Sequence, residues 1–301
     1  MQSQFVLSGD RAYHIGVAPH EIARQLVLVG DPARALRVAA RFERIDHEAR
    51  HREYVTLTGS YQGMPVSVMG TGIGTDNVEI ALVEAYGLLE FDSDGGRRPG
   101  DRGPVTVLRV GTSGGTQEDI APGTLVITAL AVGLDATGLY LRTPDDPELQ
   151  ALEADARAAL VRGLPPSRFV DRLHPYASRA CVDLVAALVS ASAAQPHVVG
   201  ITAALPGFYA ASGRWIEGLD NVVPDIKQRL ATLSCGDLRL VNVEMESSLM
   251  LQVCAALGWH ASTICPVLST PSGHGGLADP AASVEAAITA GLTALRARWR
   301  G

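Results

Sequence analysis

The sequence predicts an α/β fold in which a central mixed β-sheet, largely parallel, is flanked by helices. Three observations predict it. Short β-rich runs alternate with amphipathic helical runs along the chain, the pattern that builds helix-covered sheets. Several of the β-rich runs end in glycine-rich turns, where such sheets place their ligands. The 301 residues, 47% of them hydrophobic and 19% charged, suffice for a well-filled core.

The elements follow in order. Strands are expected over Gln25–Gly30, Val55–Ser60, Pro65–Gly70, Val105–Gly111, Thr124–Val132, His197–Ala204, Leu238–Val243 and Ser262–Leu268. Helices are expected over Asp31–Arg44, Asn77–Leu89, Glu148–Arg162, Ser178–Ala193, Pro224–Leu233, Glu244–Leu257 and Pro280–Trp299. The turn Tyr61-Gln62-Gly63 reads as a hairpin. The polar, aperiodic stretch from Asp92 to Gly103, DSDGGRRPGDRG, reads as a flexible surface loop, because a strand follows at once. No repeat or linker is evident, so residues 1–301 are taken as one domain.

Composition excludes several functions. A net charge of −7 argues against a nucleic-acid or anionic-membrane surface. No run of about 18 apolar residues occurs, and the first residues, MQSQFVLSGD, lack the pattern of a secretory signal. A cytoplasmic location is expected. The four cysteines show neither CxxC pairing nor metal-ligand spacing, and Cys254 and Cys265 lie in apolar runs as small buried hydrophobes.

Three places put arginine beside tight backbone. VGDPAR sets Gly30 at a strand end and Arg34 in the first turn of a helix, where free N–H groups suit an anion. RHREY carries Arg52 just before a strand. LRVGTSGG buries Arg109 in a strand whose glycine-flanked exit offers Thr112. Two readings are open for Arg109: an oxyanion ligand, or the partner of a buried carboxylate. In VNVEMES, Glu244 and Glu246 flank Met245 at a strand-to-helix junction. They either answer the helix dipole or accept hydrogen bonds from sugar hydroxyls, with the methionine packed on the sugar ring.

HIG, VGDPAR, HREY, TGIG, LRVGTSGG, FY followed by an arginine, and VEMES occur in the order found in the nucleoside phosphorylase family. The chain resembles that family, and its uridine phosphorylase branch above all, from about His14 to Leu268. The resemblance implies that Gly30, Arg34, Arg109 and Thr112 bind phosphate, with Arg52 supplied by a neighbouring subunit. It implies that His14 reaches across the same interface to the ribose 5′-hydroxyl, and that Met245 and Glu246 contact the ribose. Phe208 matches the aromatic residue beside the base, and Arg214 the arginine that reads the pyrimidine carbonyl. Glu53, Ile73 and Asn77 align with positions that in some relatives hold a monovalent cation between subunits.

The implied activity is phosphate-dependent cleavage of a nucleoside, uridine or a related pyrimidine nucleoside, to free base and (deoxy)ribose 1-phosphate. Inorganic phosphate is a co-substrate and no other cofactor is expected, apart from that structural cation. The expected assembly is a homo-oligomer of dimers, a hexamer. Two positions depart from the pattern. Ser212 stands where the uridine branch has a base-reading glutamine, and neither the uridine-type arginine nor the purine-type aspartate occurs around Ser269–Pro271. The alternatives are therefore a phosphorylase of altered or purine base specificity, a nucleoside hydrolase, and a non-catalytic nucleoside-binding protein. As a phosphate ligand only, Arg109 should be removable with loss of activity and an intact fold.

Overall fold

A computed structural model describes residues 4–92, 96–98, 102–271 and 280–300. In chain order its elements are β1 (Leu7–Ser8), β2 (Arg11–Ala12), β3 (Gln25–Val29), α1 (Pro32–Ala39), β4 (Arg44–His51), β5 (Tyr54–Tyr61), β6 (Met64–Gly70), α2 (Thr75–Glu90), β7 (Thr106–Val110), β8 (Ser113–Gly115), β9 (Leu125–Gly133), α3 (Pro147–Val161), β10 (Tyr176–Arg179), α4 (Val182–Ala191), β11 (His197–Ala204), α5 (Ile226–Leu230), β12 (Ser234–Cys235), β13 (Leu238–Glu244), α6 (Ser247–Leu257), β14 (His260–Ser269) and α7 (Ala281–Arg298). Every expected strand and helix is present, with ends shifted by a few residues.

Twelve strands form one sheet in the order β10-β9-β11-β13-β8-β14-β7-β3-β6-β5-β4, with β12 on β13. A further antiparallel pairing of β9 with β14 closes the run β9-β11-β13-β8-β14 into a ring. The sheet is mixed as expected but not largely parallel. The pairs β3–β6, β3–β7, β7–β14, β8–β14, β9–β11 and β11–β13 are parallel, whereas the hairpins β4–β5–β6 and the contacts β9–β10, β8–β13 and β12–β13 are, like β9–β14, antiparallel. The strands β3 and β7 are buried along their whole length, which explains why they are apolar apart from Gln25, Thr106 and Arg109.

Six strands were not foreseen: the short β1, β2, β8 and β12, and two longer ones, β4 and β10. The expected first helix, Asp31–Arg44, stops at Ala39, and Arg44–His51 becomes the edge strand β4. RIDHEARH carries charge on both faces and is almost wholly exposed, so it shows no apolar alternation. Similarly, Tyr176–Arg179 pairs with β9 instead of opening α4, and four residues are too few for periodicity to register.

The described parts of the 92–103 segment are tied to the body. Arg98 Nε donates to Phe91 O at 2.7 Å, and Arg24 Nη2 donates to Gly103 O at 2.7 Å. Residues 93–95 and 99–101 lie outside the described residues. Cys254 and Cys265 are buried as expected, and burial pushes the Cys265 thiol up to about 12, leaving it inert as a nucleophile. Among the described residues no helix is long and apolar enough to cross a membrane.

Candidate active site

The carboxyl ends of β3, β6, β7, β11, β13 and β14 open onto one cavity of about 940 Å³. That volume lies in the range of small-molecule sites and leaves room for a nucleoside with an anion. Its wall contains Gly30, Arg34, Ile73, Arg109, Thr112, Phe208, Ser212, Arg214, Met245 and Glu246. Ten of the positions singled out in the sequence thus converge from distant segments.

Two neighbouring arginines line the cavity with different partners. The Arg34 guanidinium forms no ion pair among the described residues. Its Nη1 donates to Val110 O at 3.1 Å, and its Nε is buried without a partner. Burial, and then the nearby charge of Arg109, hold its pKa below the usual value. Among the described residues no carboxylate neutralises this cation.

Arg109 is different. Only 6% exposed, it places Nη1 3.0 Å from Glu244 Oε2 and donates through Nη2 to Glu246 Oε2 in a short hydrogen bond. Of the two readings open for Arg109, the structure displays the partner of buried carboxylates. Burial opposes its charge, but Glu246 and Glu244 outweigh that and hold its pKa above the ordinary value. Glycine at position 111 is required here, since a Cβ would overlap the Arg109 guanidinium.

The two glutamates divide the roles left open in the sequence. Glu244 ends β13, and its carboxylate accepts the N–H groups of Glu246 and Ser247 at 3.0 Å each, as a helix start favours. Burial pushes its pKa up. Glu246 is buried with Oε1 accepting the Gly74 N–H at 2.8 Å, and it lines the cavity beside Met245. The helix α6 accordingly begins at Ser247 rather than at Glu244.

Another part of the wall is built by the segment from Phe208 to Arg214. Arg214 stacks on the Phe208 ring with Cζ 3.7 Å from the centroid, and its Nη1 donates to Ser212 Oγ at 2.8 Å and to Phe208 O. Ser212 in turn donates to Phe208 O. The serine therefore braces Arg214 and leaves no amide to face a ligand. Gly213 adopts φ +71° and packs so closely that a Cβ would lie 2.5 Å from Pro224 O, which seats this segment on the start of α5.

Four singled-out residues lie elsewhere in this chain. Arg52, in the β4–β5 turn, is exposed with φ 53° and lies over the Tyr13 ring at 4.9 Å. His14 is bound through Nδ1 to Glu84 Oε1 at 2.6 Å, and its carbonyl oxygen accepts from His51 Nδ1 at 2.9 Å. Glu53 is exposed beside Arg52, and Asn77 O accepts from Tyr54 Oη at 3.0 Å. None of the four lines the cavity. Sequence reasoning missed Lys227, the only lysine of the chain, which does line it.

This fold and constellation define a class. A family model, the phosphorylase superfamily, matches residues 24–296, and the chain belongs to that family. A uridine phosphorylase from Thermococcus kodakarensis is 29% identical over 260 residues, covering 85% of this chain and 76% of the relative. The uridine phosphorylase of Escherichia coli is 26% identical over 264 residues, covering 87% of each. The crystal structure of a Trypanosoma brucei nucleoside phosphorylase that shows uridine phosphorylase activity superposes with a TM-score of 0.88 at 26% identity, over 98% of this chain and all of that one.

Proposed function

We propose that the protein cleaves uridine with inorganic phosphate, giving uracil and ribose 1-phosphate. The observation that carries this reading is that two sets of groups line one cavity. Arg34 and Arg109, with Glu246 bound to Arg109, form one set, Arg214 stacked on Phe208 forms the other, and Met245 lines the same wall. The similarity to uridine phosphorylases supports the base.

In this reading phosphate enters beside Arg34, Thr112 and the backbone at Gly30. It draws one arm of the Arg109 guanidinium from Glu246, while Glu244 keeps the other. The freed Glu246 carboxylate then accepts hydrogen bonds from the ribose 2′- and 3′-hydroxyls, and Met245 packs on the sugar. One exchange thus readies both sites. Bond breaking passes through an oxocarbenium-like sugar. A phosphate oxygen held beneath C1′ stabilises that cation and then bonds to it, an orientation effect that reaches about 7–11 kcal/mol in intramolecular models. Arg214 offers charge-stabilising donors to the departing base.

Arg52 and His14 act from a neighbouring subunit. Support comes from their grouping on one surface through Tyr13 and His51, away from their own cavity. The active unit is then at least a dimer, and the wider assembly a hexamer. Glu53 and Asn77 side chains and the Ile73 carbonyl offer the hard oxygen donors that a monovalent cation takes at that interface, where its role is structural.

A panel of nucleosides incubated with and without phosphate tests the function. Uracil should be released from uridine only with phosphate. Release without phosphate would identify a hydrolase, and no release a binding protein. Gly213→Ala supplies a local check. Forcing a Cβ against Pro224 should raise KM for uridine and leave KM for phosphate unchanged, measured by saturation kinetics in each substrate.

A further inference from the structure

We infer that Lys227 is a base-contacting residue, whose ammonium donates to a carbonyl oxygen of the pyrimidine in place of the absent glutamine. The inference rests on the pyrimidine phosphorylase reading of the same site. Lys227 sits on the short helix α5, half-buried, and lines the cavity together with Phe208, Ser212 and Arg214. Among the described residues its ammonium makes no hydrogen bond or ion pair. Its position is fixed, because the close seating of Gly213 on Pro224 and Ile226 binds α5 to the base segment. Asn221 Nδ2, donating to Arg214 O at 2.9 Å, ties the stretch before α5 to the same segment.

Two cations side by side at the base end of a cavity need an explanation. Burial and then the charge of Arg214 hold the Lys227 pKa below its usual value, so each cation opposes the other's charge. Phosphorolysis supplies the matching charge. As the C1′–N1 bond breaks, its electron pair leaves with the base, while a phosphate oxygen forms the new bond to C1′. The uracil anion spreads its charge over both carbonyl oxygens before taking a proton from solvent. An ammonium with three donors and the Arg214 guanidinium can meet those oxygens. Ser212 cannot, since its hydroxyl is spent on Phe208 O and Arg214.

The test uses the full-length protein and the variants Lys227→Met and Lys227→Arg, with uridine and 5-fluorouridine as substrates at saturating phosphate. The fluorinated base is more acidic and needs less help to leave. Lys227→Met should lower kcat/KM about 10²-fold for uridine and clearly less for 5-fluorouridine. KM for phosphate and the melting temperature should stay unchanged, and Lys227→Arg should keep most of the activity. Equal losses on both substrates with a lowered melting temperature would show a structural role and overturn the inference. Unchanged kinetics of Lys227→Met in an otherwise active enzyme would overturn it while leaving the phosphorylase reading in place. A wild-type protein that releases no base from either nucleoside would overturn both.

Discussion

Arg109→Ala is expected to abolish phosphorolysis, by about 10³-fold or more, and at the same time to destabilise the fold by about 3–5 kcal/mol. The first effect follows from losing a cation at the phosphate end of the cavity. The second follows from its surroundings, since Glu244 and Glu246 are 7% and 3% exposed and would be left as buried carboxylates without their cation. A phosphate ligand alone should have been removable without harm to the fold. The carboxylate clasp changes that expectation. The two effects separate in the double variant Arg109→Ala/Glu244→Gln, which removes one of the stranded charges. Its melting temperature should recover in part, whereas phosphate-dependent uracil release should not.

Arg34→Met is expected to do the reverse. Its guanidinium pairs with no carboxylate among the described residues, and its Nε is already an orphan, so little native bonding is lost. A charge-assisted hydrogen bond to phosphate is worth about 1.5–3 kcal/mol, or roughly 10- to 150-fold. KM for phosphate should rise by that factor, with the melting temperature shifted little. Phosphate saturation curves at fixed uridine, beside a thermal melt, read both. An unchanged KM for phosphate would remove Arg34 from the site.

Much of this molecule was legible in its sequence, for physical reasons. The buried strands β3, β7 and β11 are apolar along most of their length, and their exits carry glycines and polar residues where a ligand would meet them. The motifs around Arg34, Arg109 and Phe208 belong to those exits and that around Glu246 to the exit of β13, so the cavity could be anticipated from strand ends alone. Three things could not. Edge strand β4 hides its period behind charges on both faces. The grip of Glu244 and Glu246 on Arg109 joins β7 to the β13–α6 junction, and nothing local in either segment announces it. Lys227 sits on α5, and only the packing around Gly213 brings it to the cavity wall that Arg214 shares. Its one sequence signal was its standing as the sole lysine among arginines.

The base end also changes meaning in three dimensions. Ser212 read in sequence as a gap where a glutamine should be. In the fold it holds Arg214 against the Phe208 ring, so in the proposed reading it keeps one base-facing group in place while giving up another.

The central claim is that Arg34 and Arg109 share one anion beneath the sugar, and a crystal structure with uridine and sulfate, a non-reacting mimic of phosphate, tests it most directly. The account predicts sulfate oxygens within hydrogen-bonding distance of both guanidinium groups, Arg109 detached from Glu246, and the Glu246 carboxylate turned to the ribose hydroxyls. A sulfate bound elsewhere, with Arg109 still clasped by both glutamates under a bound ribose, would contradict it.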